Sequence, residues 1–73
     1  MTIKSISTSN NLTITTLSNT YYLIEICTYL GTIVFKDDIK PKDNKIIIKG
    51  LNPGKYVIQI SNNSKLIKKQ INI

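Results

Sequence analysis

The sequence predicts an all-β fold, a small antiparallel Ig-like β-sandwich of about seven short strands. Three observations carry that prediction. The composition is dominated by β-branched side chains, apolar residues recur at every second position, and turn residues cut the chain into short segments. Isoleucine occurs 15 times and threonine eight times in 73 residues, and alanine never. Such side chains lose rotamer freedom in a helix but pack well on a pleated surface. A chain of this length forms one domain, residues 1–73, with a thin core worth on the order of 3–5 kcal/mol. That points to a module of something larger, or to one held by a partner.

The elements follow in order. Thr2–Ser7 is a weak first strand. Asn11–Thr16 alternates, with Leu12 and Ile14 on one face and Thr13 and Thr15 on the other. Tyr22–Thr28 sets Tyr22, Ile24 and Ile26 against Leu23, Glu25 and Cys27. Gly31 allows a tight turn into Thr32–Asp37, and the polar stretch "KPKDN" is closed to helix by Pro41. Lys45–Lys49 places Ile46 and Ile48 on one side with Ile47 between them. "NPGK" is expected to form a type II turn, with Pro53 presetting φ and Gly54 supplying the positive φ. Lys55–Ser61 carries Tyr56, Ile58 and Ile60 inward and Gln59 outward. "SNNS" offers asparagines that tolerate left-handed geometry before the last strand, Lys65–Ile73. A five- or six-stranded barrel is the alternative architecture.

Composition narrows the functional classes. Histidine is absent, which removes histidine-based acid–base chemistry and most zinc sites. The four acids are Glu25, Asp37, Asp38 and Asp43. Asp37 and Asp38 are adjacent, so on a strand they point to opposite faces and cannot flank one bond. Asp37, Asp38, Asp43 and Asn44 supply loop oxygens of the kind calcium takes, but a solvated loop is the preferred reading. Glycines 31, 50 and 54 form no phosphate cradle. No catalytic, metal or cofactor site is expected. Cys27, the one cysteine, reads as a small buried hydrophobe.

The net charge of +6 comes entirely from lysine on the basic side. Without arginine, the bidentate fork used on bases and phosphates is missing, and the lysines are scattered from Lys4 to Lys69. Nucleic acid is therefore not an expected partner. The most apolar window, "YYLIEICTYLGTIVF", is interrupted by Glu25 and too short to span a bilayer. After Met1, "TIKSISTSNNLTI" shows no secretory signal, so any export signal is expected upstream.

The order of the pieces carries more. "LIEICTYLGTIVFKDDI", "NKIIIKGLNPGKYVIQI" and "NNSKLIKKQINI" together resemble the C-terminal sorting domain, type A, of type IX secretion cargo from Bacteroidota. In that family a strand of the form V-x-I-x-x-x-x-G precedes an I-x-L-x-x-L-x-x-G-x-Y turn and strand, and a lysine-bearing strand closes the domain. Ile24, Ile26 and Gly31 match the first part. Ile46, Ile48, Leu51, Gly54 and Tyr56 match the second, and Lys65, Lys68 and Lys69 match the tail. The similarity spans about residues 11–73; the Pro-Asn-Pro opening usual in the family is replaced here by "STSNN".

The resemblance implies an address for export and no enzyme. The folded domain would be recognised in the periplasm by the type IX translocon and outer-membrane shuttle proteins. The passenger would then cross to the cell surface or medium, and a sortase-like protease would remove the domain. Gly54, Tyr56, Lys65, Lys68, Lys69, Ile71 and Ile73 are the implied recognition residues. An exposed last strand can add to a partner's sheet, with lysines giving charge complementarity. The same unpaired strand could exchange between copies to give a swapped dimer. Two other readings compete. One is an adhesin-like or carbohydrate-binding sandwich using Tyr21, Tyr22 or Tyr29 as an aromatic platform. The other is a structural accessory domain with an exposed apolar sheet face.

Overall fold

The computed structural model describes residues 3–8, 11–63 and 65–73. Its seven strands are β1 (Ile3–Ser7), β2 (Leu12–Thr16), β3 (Tyr22–Thr28), β4 (Ile33–Ile39), β5 (Lys45–Ile48), β6 (Lys55–Asn62) and β7 (Lys65–Asn72). They form a three-stranded sheet, β1-β2-β5, and a four-stranded sheet, β4-β3-β6-β7. Every strand pair is antiparallel. The two sheets pack as a small sandwich, so the all-β class holds and the barrel does not. Each predicted strand appears within two residues of its expected bounds; Thr2 lies outside the described residues.

The core is what the two-residue alternation dictates. Leu12, Ile14 and Thr16 from β2, and Ile46 and Ile48 from β5, form one inner face. Tyr22, Ile24 and Ile26 from β3 and Tyr56, Ile58 and Ile60 from β6 form the other, completed by Ile71 of β7. In the middle of the larger sheet, Ile24 pairs with Ile60 and Ile26 with Ile58. Ile47 stands between two buried neighbours yet is 54% exposed, because the pleat turns it outward.

Two buried tyrosines start the two central strands, and each reaches back four residues. The Tyr22 hydroxyl lies 2.9 Å from Ser18 Oγ. The Tyr56 hydroxyl donates to the Asn52 carbonyl at 2.6 Å. A buried phenol needs such a partner, and each bond pins the loop entering its strand in the manner of a tyrosine corner.

Turn chemistry departs from expectation in places. "KPKDN" is not an open loop throughout: Lys42 and Lys45 exchange backbone hydrogen bonds of 3.1 and 3.0 Å around Asp43 and Asn44. Both central residues have positive φ, 52° and 61°, which is the two-residue hairpin geometry that Asp and Asn tolerate. Asn44 also donates through Nδ2 to the Thr16 carbonyl, and its backbone N–H donates to Asn19 Oδ1. Asn63, with φ of 55°, supplies the left-handed residue expected between β6 and β7.

Cys27 is a correction. It is half-buried on the outer face of the four-stranded sheet rather than in the core, because it alternates against Ile26. Its Sγ lies 3.8 Å from Glu25 Oε1, a weak contact on that face.

Ile58→Ala should lower stability by about 2–5 kcal/mol, most of what a domain of this size has. Ile47→Ala should change it by less than about 0.5 kcal/mol. Urea titrations of both variants check this pair, and coincident midpoints would refute the assigned faces.

Candidate functional site

A strand edge becomes a recognition surface when its backbone groups are free and its register is regular. The sandwich has four outer edges among the described residues: β1, β5, β4 and β7. β1 pairs with β2 through an irregular register between Ile3 and Ser5. β5 has four residues. β4 pairs with β3 through a register shift at Ile26/Cys27. β7 has eight residues, and all eight pair with β6 without a break, from Lys55↔Asn72 to Asn62↔Lys65. It is the long, regular edge of the molecule.

The sequence prepares each end of this hairpin. At the turn, Asn62 ends β6 and Asn63 follows it, and Asn62 Nδ2 donates to the Tyr21 carbonyl (3.0 Å) and lies 2.9 Å from Thr20 Oγ1. At the other end Gly54 and Ile73 exchange backbone hydrogen bonds, each 2.9 Å, extending the ladder one pair beyond the strands. Gly54 therefore does not take the type II turn position expected of it. Its φ is 155°, outside the value near 80° that the turn requires. Its N–H and C=O are spent on Ile73. That backbone region is reached essentially by glycine alone.

The predicted recognition residues separate into three groups. Tyr56 and Ile71 are opposite one another and buried, so they hold β7 to the core. Gly54 and Ile73 close the open end of the hairpin, and Ile73 packs partly against the core. Lys65, Lys68 and Lys69 are exposed, but they do not form one patch. Lys69 pairs with Ile58 and Lys65 with Asn62, so both share the core-side face; Lys68 pairs with Gln59 on the outer face. Adjacent lysines on a strand must diverge in this way.

On the outer face a polar row crosses the whole sheet: Lys36, Glu25, Gln59, Lys68. Lys36 Nζ is 4.0 Å from Glu25 Oε2, an exposed pair worth less than about 1 kcal/mol. Sequence reasoning missed this row. The signal for it was the parity of Glu25 and Gln59, but the neighbour relation of β3 and β6 is not written locally.

The other candidates are dispersed. Tyr21 and Tyr29 are exposed at opposite ends of β3, while Tyr22 is fully buried. The strand residues between them span roughly 26 Å of backbone from Tyr21 to Tyr29, so the three tyrosines form no platform. Asp37 pairs with Ile24 and Asp38 with Leu23, on opposite faces of β4. Asn44 spends its amide on Thr16. No group of three metal-ligating side chains occurs among the described residues. No helix among them is long and apolar enough to cross a membrane.

Fold and surface together define a small β-sandwich domain with one long, regular, lysine-bearing edge. The model of the secretion system C-terminal sorting domain family matches residues 7–73. The chain belongs to that family, and it is a C-terminal sorting signal for type IX secretion, directing export toward the cell surface or extracellular space. Such a domain works by interaction with the secretion machinery. A search of curated proteins finds no match.

Gly54→Ala should cost about 1–3 kcal/mol by forcing a side chain into a glycine-only conformation. Tyr56→Phe should cost about 0.5–1.5 kcal/mol through the lost bond to Asn52. Thermal melts check both; a Gly54→Ala variant melting with the parent would overturn the assigned backbone strain.

Proposed function

We propose that a component of the type IX translocon, or an outer-membrane shuttle protein, engages the free edge of β7 while the domain is in the periplasm. A passenger joined to the domain's N-terminal side then crosses to the cell surface or medium, and a sortase-like protease removes the domain. The observation that carries this reading is the unbroken eight-residue register of β7 beside three edges that are short or irregular. A partner strand adding there gains main-chain hydrogen bonds along the whole length, with alternate side chains read on each face.

In this reading the residues divide the work. Gly54, Tyr56, Ile71 and Ile73 fix the strand in place, and Lys65, Lys68 and Lys69 meet the partner. Two of the lysines would be read on one face and one on the other. An incoming strand with carboxylates at matching positions is favoured, and a basic one is repelled. The same chemistry disfavours pairing of β7 with another β7, since lysine would face lysine. Strand exchange through the β6–β7 turn remains the route by which isolated domains would dimerise.

The test fuses residues 1–73 to the C-terminus of a periplasm-directed fluorescent reporter, in a type IX-competent host and in one lacking the translocon. Reporter should leave the cell only in the competent host. Lys65→Glu/Lys68→Glu should cut export about tenfold, as losing two charge contacts would, with little change in melting temperature. Export unchanged by the double reversal, in a folded fusion, would sink the β7 reading.

A further inference from the structure

The β3–β4 hairpin tip presents apolar side chains that the core does not use. Tyr29 is 70% exposed, Leu30 89%, Ile33 53% and Val34 44%. No residue from Thr28 to Val34 carries charge. The other exposed large hydrophobics, Leu17, Tyr21, Ile47 and Leu66, are scattered over the two sheets and their loops. Single exposed apolar residues need no explanation, but four within one hairpin do, Tyr29 and Leu30 in its turn and Ile33 and Val34 at the start of β4.

The tip is also held rigid. Gly31 N–H donates to the Thr28 carbonyl at 2.9 Å, and Thr28 N–H donates to the Thr32 carbonyl at 2.8 Å. Thr32 N–H donates to Thr28 Oγ1 at 3.1 Å. Gly31, with φ of 95°, makes this closure accessible. An apolar loop ordered before contact loses little entropy on binding.

Its position links it to the β7 edge. Tyr29 N–H donates to the Lys55 carbonyl at 3.2 Å, and Lys55 Nζ sits 6.0 Å from the Tyr29 ring centre. Lys55 in turn pairs with Asn72 of β7. From the tip a groove of about 250 Å³ runs across the outer sheet face to Lys68 of β7. Cys27 and Val57 form its apolar floor, with Tyr29 at one end and Lys68 at the other. Glu25, the acid of this groove, has Lys36 at 4.0 Å. Lys68 has no carboxylate partner among the described residues.

We infer that the β3–β4 tip and this groove form a second contact for the secretion-machinery protein that reads β7, taking an apolar side chain of that protein beside a carboxylate that meets Lys68. The inference rests on the β7 reading and extends it to a segment more than 30 residues away in sequence. The apolar contact supplies affinity, and the lysine at the junction fixes the angle between the two contacts.

The test uses the reporter fusion in the competent host, with melting temperature measured on each purified variant. Tyr29→Ser/Leu30→Ser should reduce export about tenfold or more, as loss of an interface anchor does, and leave the melt unchanged. Leu30→Lys, at the more exposed position, is the second variant and should act alike if the double variant misfolds. Ile47→Lys, exposed on the other sheet, should export normally. Leu30→Lys exporting like the parent, while Lys65→Glu/Lys68→Glu fails, overturns the tip contact and leaves β7 standing. Equal losses for Leu30→Lys and Ile47→Lys also overturn it. A parent fusion that needs no translocon overturns both readings together.

Discussion

The structure depends on one apolar layer, made where the inner faces of β3 and β6 meet those of β2 and β5. Ile24, Ile26, Ile58 and Ile60 are fully buried, with Ile14 and Leu12 facing them from the other sheet. Isoleucine suits this place because its branched carbon is already stiff, so burial removes little rotamer freedom, while its bulk fills the gap between sheets. A chain of this size has no second core to compensate for damage to the first. Everything that faces outward, including the surface a partner would meet, is positioned by that layer.

The two central strands are anchored in the same way at their starts. Tyr22 and Tyr56 both bury their rings and return their hydroxyls to a residue four positions earlier. The Asn52 bond holds the turn that brings Gly54 against Ile73, so a core tyrosine also sets the end of the β7 ladder. The core and the β7 edge therefore share a residue. A tyrosine serves here because phenylalanine would fill the same volume but leave the loop untied.

Alternation made most of this legible in the sequence. Strand existence and the inner face of β2, β3, β5 and β6 follow from parity, and the turn residues set the strand bounds to within two residues. Parity also sends Lys68 and Lys69 to opposite faces, yet the pair reads as one cationic patch when the chain is taken as a string. What parity does not contain is the neighbour relation between strands. The polar row from Lys36 to Lys68 needs β4, β3, β6 and β7 in that order, and such order comes from packing of distant segments. Gly54 departs from its local signal for a related reason. Its local context, Asn-Pro-Gly, describes a type II turn, and pairing with Ile73, nineteen residues away, overrides it. Cys27 looked internal because its surroundings are apolar, though its own parity placed it outside.

An edge that one partner is to read, as proposed for β7, is open to other strands too, and the four-stranded sheet has two such edges. Its two edges differ in charge and in regularity. β4 carries Asp37 and Asp38 and a broken register; β7 carries three lysines and an unbroken one. Opposite charge would draw the β7 of one copy toward the β4 of another and build an open chain of sheets. One feature opposes this, and another guards each edge against apolar strands. The register shift at Ile26/Cys27 displaces β4 from a straight ladder. Asp37 and Lys69 each point to the core-side face of their edge, opposite Ile24 and Ile58, so an apolar strand added at either edge would bury an unpaired charge. If the secretion machinery adds a strand at β7, as proposed, a carboxylate opposite Lys69 avoids that cost.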